Sequence, residues 1–112
     1  MAVDQPKVVD LIGVDIATGE VVLTISDHLD WRDGQEHLLA LQEKLNTYLA
    51  FVESGELVES YPEAKERAVG IKVLFNFRPD RLGLQFLEGA KEAIQSAGFS
   101  FRHEVFAESY GN

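Results

Sequence analysis

Two histidines and two aspartates lie close together at the start of the longest apolar pattern in this sequence. Asp27, His28 and Asp30 are followed seven residues later by His37. Carboxylates and imidazoles are ligands for a hard or borderline metal ion, but this spacing matches no known metal-binding pattern. Ser26, Asp27 and His28 also supply the residue types of a hydrolase triad, although adjacency in sequence does not position a nucleophile. The pattern therefore predicts neither a metal ligand nor a catalytic residue.

A second group of side chains indicates binding rather than catalysis. It consists of acidic residues and one tyrosine at the end of the long apolar pattern and just after it: Glu53, Glu56, Glu59, Tyr61, Glu63 and Glu66. Tyrosine is favoured in protein interfaces, and exposed carboxylates attract a basic surface. A run of charge is more often a solvated face, so that interpretation stays open beside the binding one.

The net charge of the chain restricts the chemistry of a binding partner. Ten lysines and arginines stand against nineteen aspartates and glutamates, which leaves a net charge of −9. A field of that sign repels phosphate backbones, so we predict no nucleic-acid partner. The glycine-rich motifs that cradle phosphates are absent as well. A basic protein is the partner that suits this charge.

Composition predicts a cytoplasmic single domain over residues 1–112, with residues 1–6 and 108–112 loosely held. The chain has no cysteine, which excludes disulfides and thiolate metal sites. Its first residues lack the basic and apolar regions of a signal peptide, and no apolar run approaches the ~20 residues of a membrane span. We therefore expect no membrane partner and predict no cofactor.

The element expected to position both groups is one long amphipathic helix from Asp30 to Gly55. Asp30 is its predicted N-cap, and Gly55 has the backbone freedom that a helix end requires. The apolar residues of this stretch recur every three or four positions, which places them on one stripe: Trp31, Leu38, Leu41, Leu45, Tyr48, Leu49 and Val52.

Alternating or β-branched runs predict strands at residues 7–15, 21–25, 69–78 and 99–106, with a less certain one at 56–61. A second helix is expected from Pro79-Asp80 to Gly98. Its predicted apolar stripe consists of Leu82, Phe86, Leu87, Ala90, Ala93, Ile94 and Ala97. Phe75 and Phe86 are predicted core residues. A short connection makes the first two strands an antiparallel hairpin, and a helical crossover makes the last two parallel. The order β-β-α-(β)-β-α-β predicts an α+β two-layer sandwich, with a mixed four- to five-stranded sheet and two helices on one face.

Several stretches of the chain resemble a bacterial family of small uncharacterised proteins, known only as a domain of unknown function. The resemblance is carried by the runs Val9–Ile12, Leu23–Trp31, His37–Asn46, Tyr48–Leu57 and Tyr61-Pro62. It extends over about residues 8 to 102. The resemblance implies a bacterial, single-domain α+β protein and brings no assigned activity or catalytic residue.

Three functional hypotheses follow from these observations. The favoured one is a non-enzymatic acidic protein-binding module, similar to an immunity protein or antitoxin that masks a basic target. The second is a small enzyme, or a ligand- or metal-binding protein, with a pocket near Asp27, His28, Trp31 and His37. The third is a structural protein that self-associates into a homo-oligomer through an exposed sheet edge or face.

Overall fold

The computed structural model describes residues 11–106. They form two layers, a mixed sheet and the helices that pack on it. In chain order the elements are β1 (Leu11–Val14), β2 (Val21–Asp27), α1 (Gly34–Glu53), α2 (Glu56–Ser60), a 3-10 turn (Pro62–Ala64), β3 (Val69–Phe75), α3 (Arg81–Ser96) and β4 (Ser100–Val105). The predicted α+β class is confirmed. The less certain strand at 56–61 is wrong, since α2 occupies that stretch.

The sheet has four strands in the order β1-β2-β3-β4. β1 is antiparallel to β2, with Leu11 opposite Thr24, as the short connection between them predicts. β2, β3 and β4 are mutually parallel, because helical crossovers join them. The part of the predicted first strand before Leu11 lies outside the described residues, as do the two chain ends that were expected to be loose.

Both long helices cover one face of this sheet. The strand register aligns Leu23 with Ile71 and Phe101, so their side chains share that face. These three residues form the core with Leu41, Leu45 and Tyr48 from α1 and Leu87 and Ile94 from α3. Tyr48 is fully buried, and its hydroxyl donates a hydrogen bond to the Thr24 carbonyl oxygen at 3.1 Å. Phe75 is fully buried, as predicted, and Phe86 is partly buried against the same core.

The start of α1 differs from the prediction. The helix begins at Gly34, and Asp33 is its N-cap, whose carboxylate accepts a hydrogen bond from the Glu36 backbone N–H at 3.2 Å. Asp30 accepts instead from the backbone N–H of Arg32 in the preceding turn. The predicted Asp30 cap is therefore wrong. Short acidic side chains bond equally well to turns and helix ends, and spacing alone does not separate the two.

The apolar stripe of α3 follows the predicted one at Phe86, Leu87, Ala90 and Ile94 but departs from it at Leu82, Ala93 and Ala97, which are exposed. Asp80 is the N-cap, as the predicted helix start requires, and accepts from the Gly83 backbone N–H at 2.8 Å. Leu82 is 64% exposed, so its predicted place on the buried stripe is wrong. Gly83 faces inward instead, where an added Cβ would lie 2.9 Å from the Trp31 ring. The large indole occupies the space that a side chain at position 83 would need.

Alanine substitutions of Asp33 and Asp30 distinguish the residue that caps α1 from the residue that stabilises the preceding turn. We expect Asp33→Ala to lower the free energy of unfolding by ~0.5–2 kcal/mol, because it leaves a helix N–H without its acceptor. Asp30→Ala should cost less, since it removes only a turn contact and an exposed ion pair with Arg32. Urea unfolding measures both, and a larger loss for Asp30→Ala would contradict the assignment.

Phe75 and Phe86 allow a matched test of the core. Phe75→Ala should destabilise by roughly 3–5 kcal/mol, because a large ring leaves a closed cavity. Phe86→Ala should cost clearly less, since its ring is only partly buried. The two denaturant midpoints decide the matter, and the reverse order would show that this packing is wrong.

Candidate functional site

A buried aspartate–histidine pair joins the end of β2 to the first turn of α1. Asp27 is the last residue of β2, and His37 is the fourth residue of α1. Their Oδ2 and Nε2 atoms lie 2.5 Å apart, with 0% and 1% of the two side chains exposed. The structure thus brings together two of the four residues in the predicted pocket.

Both ring nitrogens of His37 are engaged. Nδ1 lies 3.0 Å from the carbonyl oxygen of Asp30, and a carbonyl oxygen only accepts, so Nδ1 carries a hydrogen. Nε2 shares a second hydrogen with the Asp27 carboxylate. The other Asp27 oxygen accepts from the Leu29 backbone N–H at 3.1 Å. In this arrangement the imidazole has no nitrogen left for a substrate proton or a metal ion.

Trp31 covers the pair. Its ring stacks on the His37 imidazole with 3.7 Å between centroids and 22° between planes. The indole Nε1–H donates to the Phe77 carbonyl oxygen at 3.2 Å, in the segment that follows β3. A third predicted pocket residue therefore joins the cluster, and it ties the β2–α1 connection to the next strand.

His28, the fourth predicted residue, is exposed and lines an open groove beside the pair. The groove has a volume of about 620 Å³, and its walls include Asp30, Asp33, Glu36 and Phe77. It lies beyond the carboxyl ends of two parallel strands, which is where α/β sheets commonly bind ligands. Among residues 11–106, no group of three or more His, Asp or Glu side chains is placed to hold a metal ion.

The acidic group lies at the other end of α1. Glu53 ends that helix, Glu56 and Glu59 belong to α2, and Glu63 and Glu66 follow, all of them exposed. The stretch of α1 from His37 to Glu53 separates this group from the aspartate–histidine pair by roughly 24 Å. The two predicted sites are thus separate surfaces at opposite ends of one helix.

Tyr61 lies half-buried within this acidic group. Partial burial and a hydrogen bond to the Glu63 carboxylate raise the pKa of its phenol, although the Arg67 guanidinium acts in the opposite sense. The phenol is therefore protonated at neutral pH and donates to Glu63. Tyr61 holds one of the acidic side chains in place.

Sequence reasoning missed one buried cation. Lys44 is 0% exposed, and its Nζ lies 5.7 Å from the centroid of the Tyr48 ring. The two residues are one helical turn apart, so their side chains meet on one face of α1. The position of Lys44 between Leu41 and Leu45 is the sequence signal that could have predicted its burial, because lysine stems pack well against apolar surface.

The fold and this site define a small α+β protein with a bonded aspartate–histidine pair beneath a tryptophan. Residues 1–107 match a family of unknown function (DUF6572), and the chain belongs to that family. The expected membership of an uncharacterised family is confirmed. No curated protein and no solved structure matches the chain. Within residues 11–106, no helix has the length and apolarity to cross a membrane.

A double-mutant cycle tests whether Asp27 and His37 act as one structural unit. We expect Asp27→Ala alone to cost about 3–5 kcal/mol, because it leaves the buried imidazole without its partner. Asp27→Ala with His37→Ala should cost less than the sum of the two single changes. Urea unfolding followed by the fluorescence of the single tryptophan, Trp31, measures all four proteins. His28→Ala is the exposed control, and strictly additive losses would contradict the coupling.

Proposed function

We propose that this protein is a non-enzymatic, acidic protein-binding module that recognises a basic surface on a partner protein. The observation that carries this proposal is the exposure of one set of acidic side chains on consecutive elements. We name this set the α2 rim, and it consists of Glu53, Glu56, Glu59, Glu63 and Glu66.

The α2 rim carries five exposed acids, and the exposed cations Lys65 and Arg67 lie in the same segment as Glu63 and Glu66. Between residues 11 and 106, none of its carboxylates takes part in an ion pair. Other acids differ in this respect, since Asp15 and Glu20 contact Arg102, and Glu104 lies near Lys72. Unpaired like charges on one surface repel each other, and a basic partner relieves that repulsion.

The rim also offers apolar contact area on a fixed support. Val58 is 38% exposed on α2, and Tyr61 lies half-buried directly after this helix. Leu57 is buried beneath them and attaches α2 to the core. An aromatic and an aliphatic side chain surrounded by charge resemble the usual composition of a protein interface.

The geometry of the aspartate–histidine pair supports a non-enzymatic role. A hydrolytic histidine needs a nitrogen within reach of the reacting proton. Both nitrogens of His37 are already bonded, and its ring is covered by Trp31. An immunity-like or antitoxin-like masking of a basic target is one form that such a module takes.

The groove beside His28 is the basis of a second proposal, a small-ligand binding site. Its position at the carboxyl ends of β2 and β3 favours this use. A compound that raises the melting temperature of the wild type, but not that of Phe77→Ala, would support ligand binding there. Phe77 suits this test because its ring is half exposed and lines the groove.

The rim proposal is tested by charge removal with a matched control. The test variant carries Glu56→Gln, Glu59→Gln and Glu63→Gln, and the control carries Glu36→Gln, Glu43→Gln and Glu92→Gln. Both lose three exposed negative charges. We expect a basic protein captured from lysate by the wild type and the control to be lost from the rim variant. Quantitative mass spectrometry of the three captures makes the comparison.

The captured partner then provides the kinetic measurement. Its association rate with the rim variant should fall and should lose much of its salt dependence, because long-range attraction acts on the encounter step. The control should keep the wild-type salt dependence. Equal rates for all three proteins across a salt series would show that the rim only solubilises the protein.

A further inference from the structure

β4 forms one edge of the sheet. Within residues 11–106 it pairs with β3 alone, so its outer row of backbone N–H and C=O groups faces away from the sheet. Such an edge is a template for a further strand. The α2 rim belongs to other elements, so this edge is a separate surface.

An open groove of about 650 Å³ runs beside this edge, between α3 and β4. Leu84, Glu88, Lys91 and Gln95 line it from α3, and Phe101 and His103 line it from β4. Leu84 is 46% exposed there. α3 thus borders the space that a further strand, and a helix packed on that strand, would occupy.

The sequence of β4 is complementary to itself when two copies run antiparallel. If His103 lies opposite His103 of the second copy, Arg102 lies opposite Glu104 of that copy. Arg102 and Glu104 share the sheet face that the long helices leave uncovered. Within each chain Arg102 already contacts Asp15 and Glu20, and Glu104 lies near Lys72, so the pair between copies extends existing ion pairs. Opposite charges directly across an antiparallel pair are favourable. Phe101 then lies opposite Val105 of the second copy, on the helix-covered face.

The outer surface of α3 carries opposite charges, Glu88 and Lys91, on either side of the same proposed centre at His103. His103 lies three residues beyond Ser100, about 10 Å along β4. The midpoint between Glu88 and Lys91 lies six to seven residues before Ser96, about 10 Å back along α3. The chain reverses between α3 and β4, and Glu88, Lys91 and His103 line one groove, which places both centres at a similar level. One two-fold axis therefore places Glu88 across from Lys91 of the second copy, and Lys91 across from its Glu88.

His103, the residue on the two-fold axis, can lie opposite His103 of the second copy. Burial and the Lys91 ammonium lower the pKa of His103 below its usual value of 6.5, so the imidazole is neutral at neutral pH. The Phe75 ring contacts it edge-on, with 5.9 Å between centroids. Two neutral imidazoles can face each other without charge repulsion.

We propose that a second copy of this chain pairs with β4 in antiparallel register about a two-fold axis at His103, joining two sheets into one continuous sheet. The occupant of the edge and groove is then the chain itself. One backbone ladder spans the interface, and the Arg102–Glu104 pair and the Glu88–Lys91 pair each occur twice across it.

Sedimentation velocity on the full chain tests this proposal by charge exchange. The wild type should change from monomer to dimer as its concentration rises. Glu88→Lys and Lys91→Glu should each weaken the homodimer by roughly tenfold or more, because like charges then face each other across the axis. An equimolar mixture of the two variants should form a heterodimer, since one copy supplies two lysines and the other two glutamates. Glu43→Lys on α1 is the matched control and should dimerise as the wild type does.

A cross-link tests the register. The chain has no cysteine, so His103→Cys introduces the only thiol. Oxidation should convert this variant to a covalent dimer, while Gln42→Cys on the exposed face of α1 should stay monomeric. A wild type that is monomeric at every concentration would overturn the proposal, even if another protein bound β4. A wild-type dimer that both charge variants leave intact would overturn it as well.

Discussion

The hydrogen bond between Asp27 and His37 decides how the first half of the chain is arranged. Burying these two polar side chains is tolerable only because each of their polar atoms has a partner. His37 therefore points inward at the first turn of α1. Once it does, helical periodicity carries Leu41, Lys44 and Tyr48 onto the same buried face. The pair thus fixes both the origin of α1 and its rotation about its own axis.

Trp31 extends this arrangement to the second half of the chain. It stacks on His37, donates to the Phe77 carbonyl oxygen and fills the space left by the missing side chain of Gly83. One ring thereby connects both crossover helices at the carboxyl ends of the strands. Asp27 and His37 are residue types common in catalytic sites, and here they bond to each other and to the backbone inside the protein.

The two proposed interaction surfaces use different parts of the fold. The α2 rim lies at the end of α1 and on the elements after it, whereas the second copy is expected along β4. Pairing through β4 leaves both rims open. A dimer would then present two acidic surfaces, which strengthens binding to a partner that carries two basic ones. The net charge of −9 opposes association of two copies, so the complementary pairs at the edge must offset that repulsion.

Sequence by itself determined the α+β class, the first hairpin, the start of α3 near Asp80 and the burial of Phe75, since these follow from local periodicity and turn chemistry. Tertiary structure alone decided that Asp27 meets His37, that Lys44 is buried, that Leu82 is exposed and that α2 is helical. A reading of apolar periodicity predicts that a polar side chain is exposed. Whether that side chain is in fact buried depends on whether the fold positions a hydrogen-bond partner for it. For His37 that partner lies ten residues away on another element, and only the folded chain brings the two together.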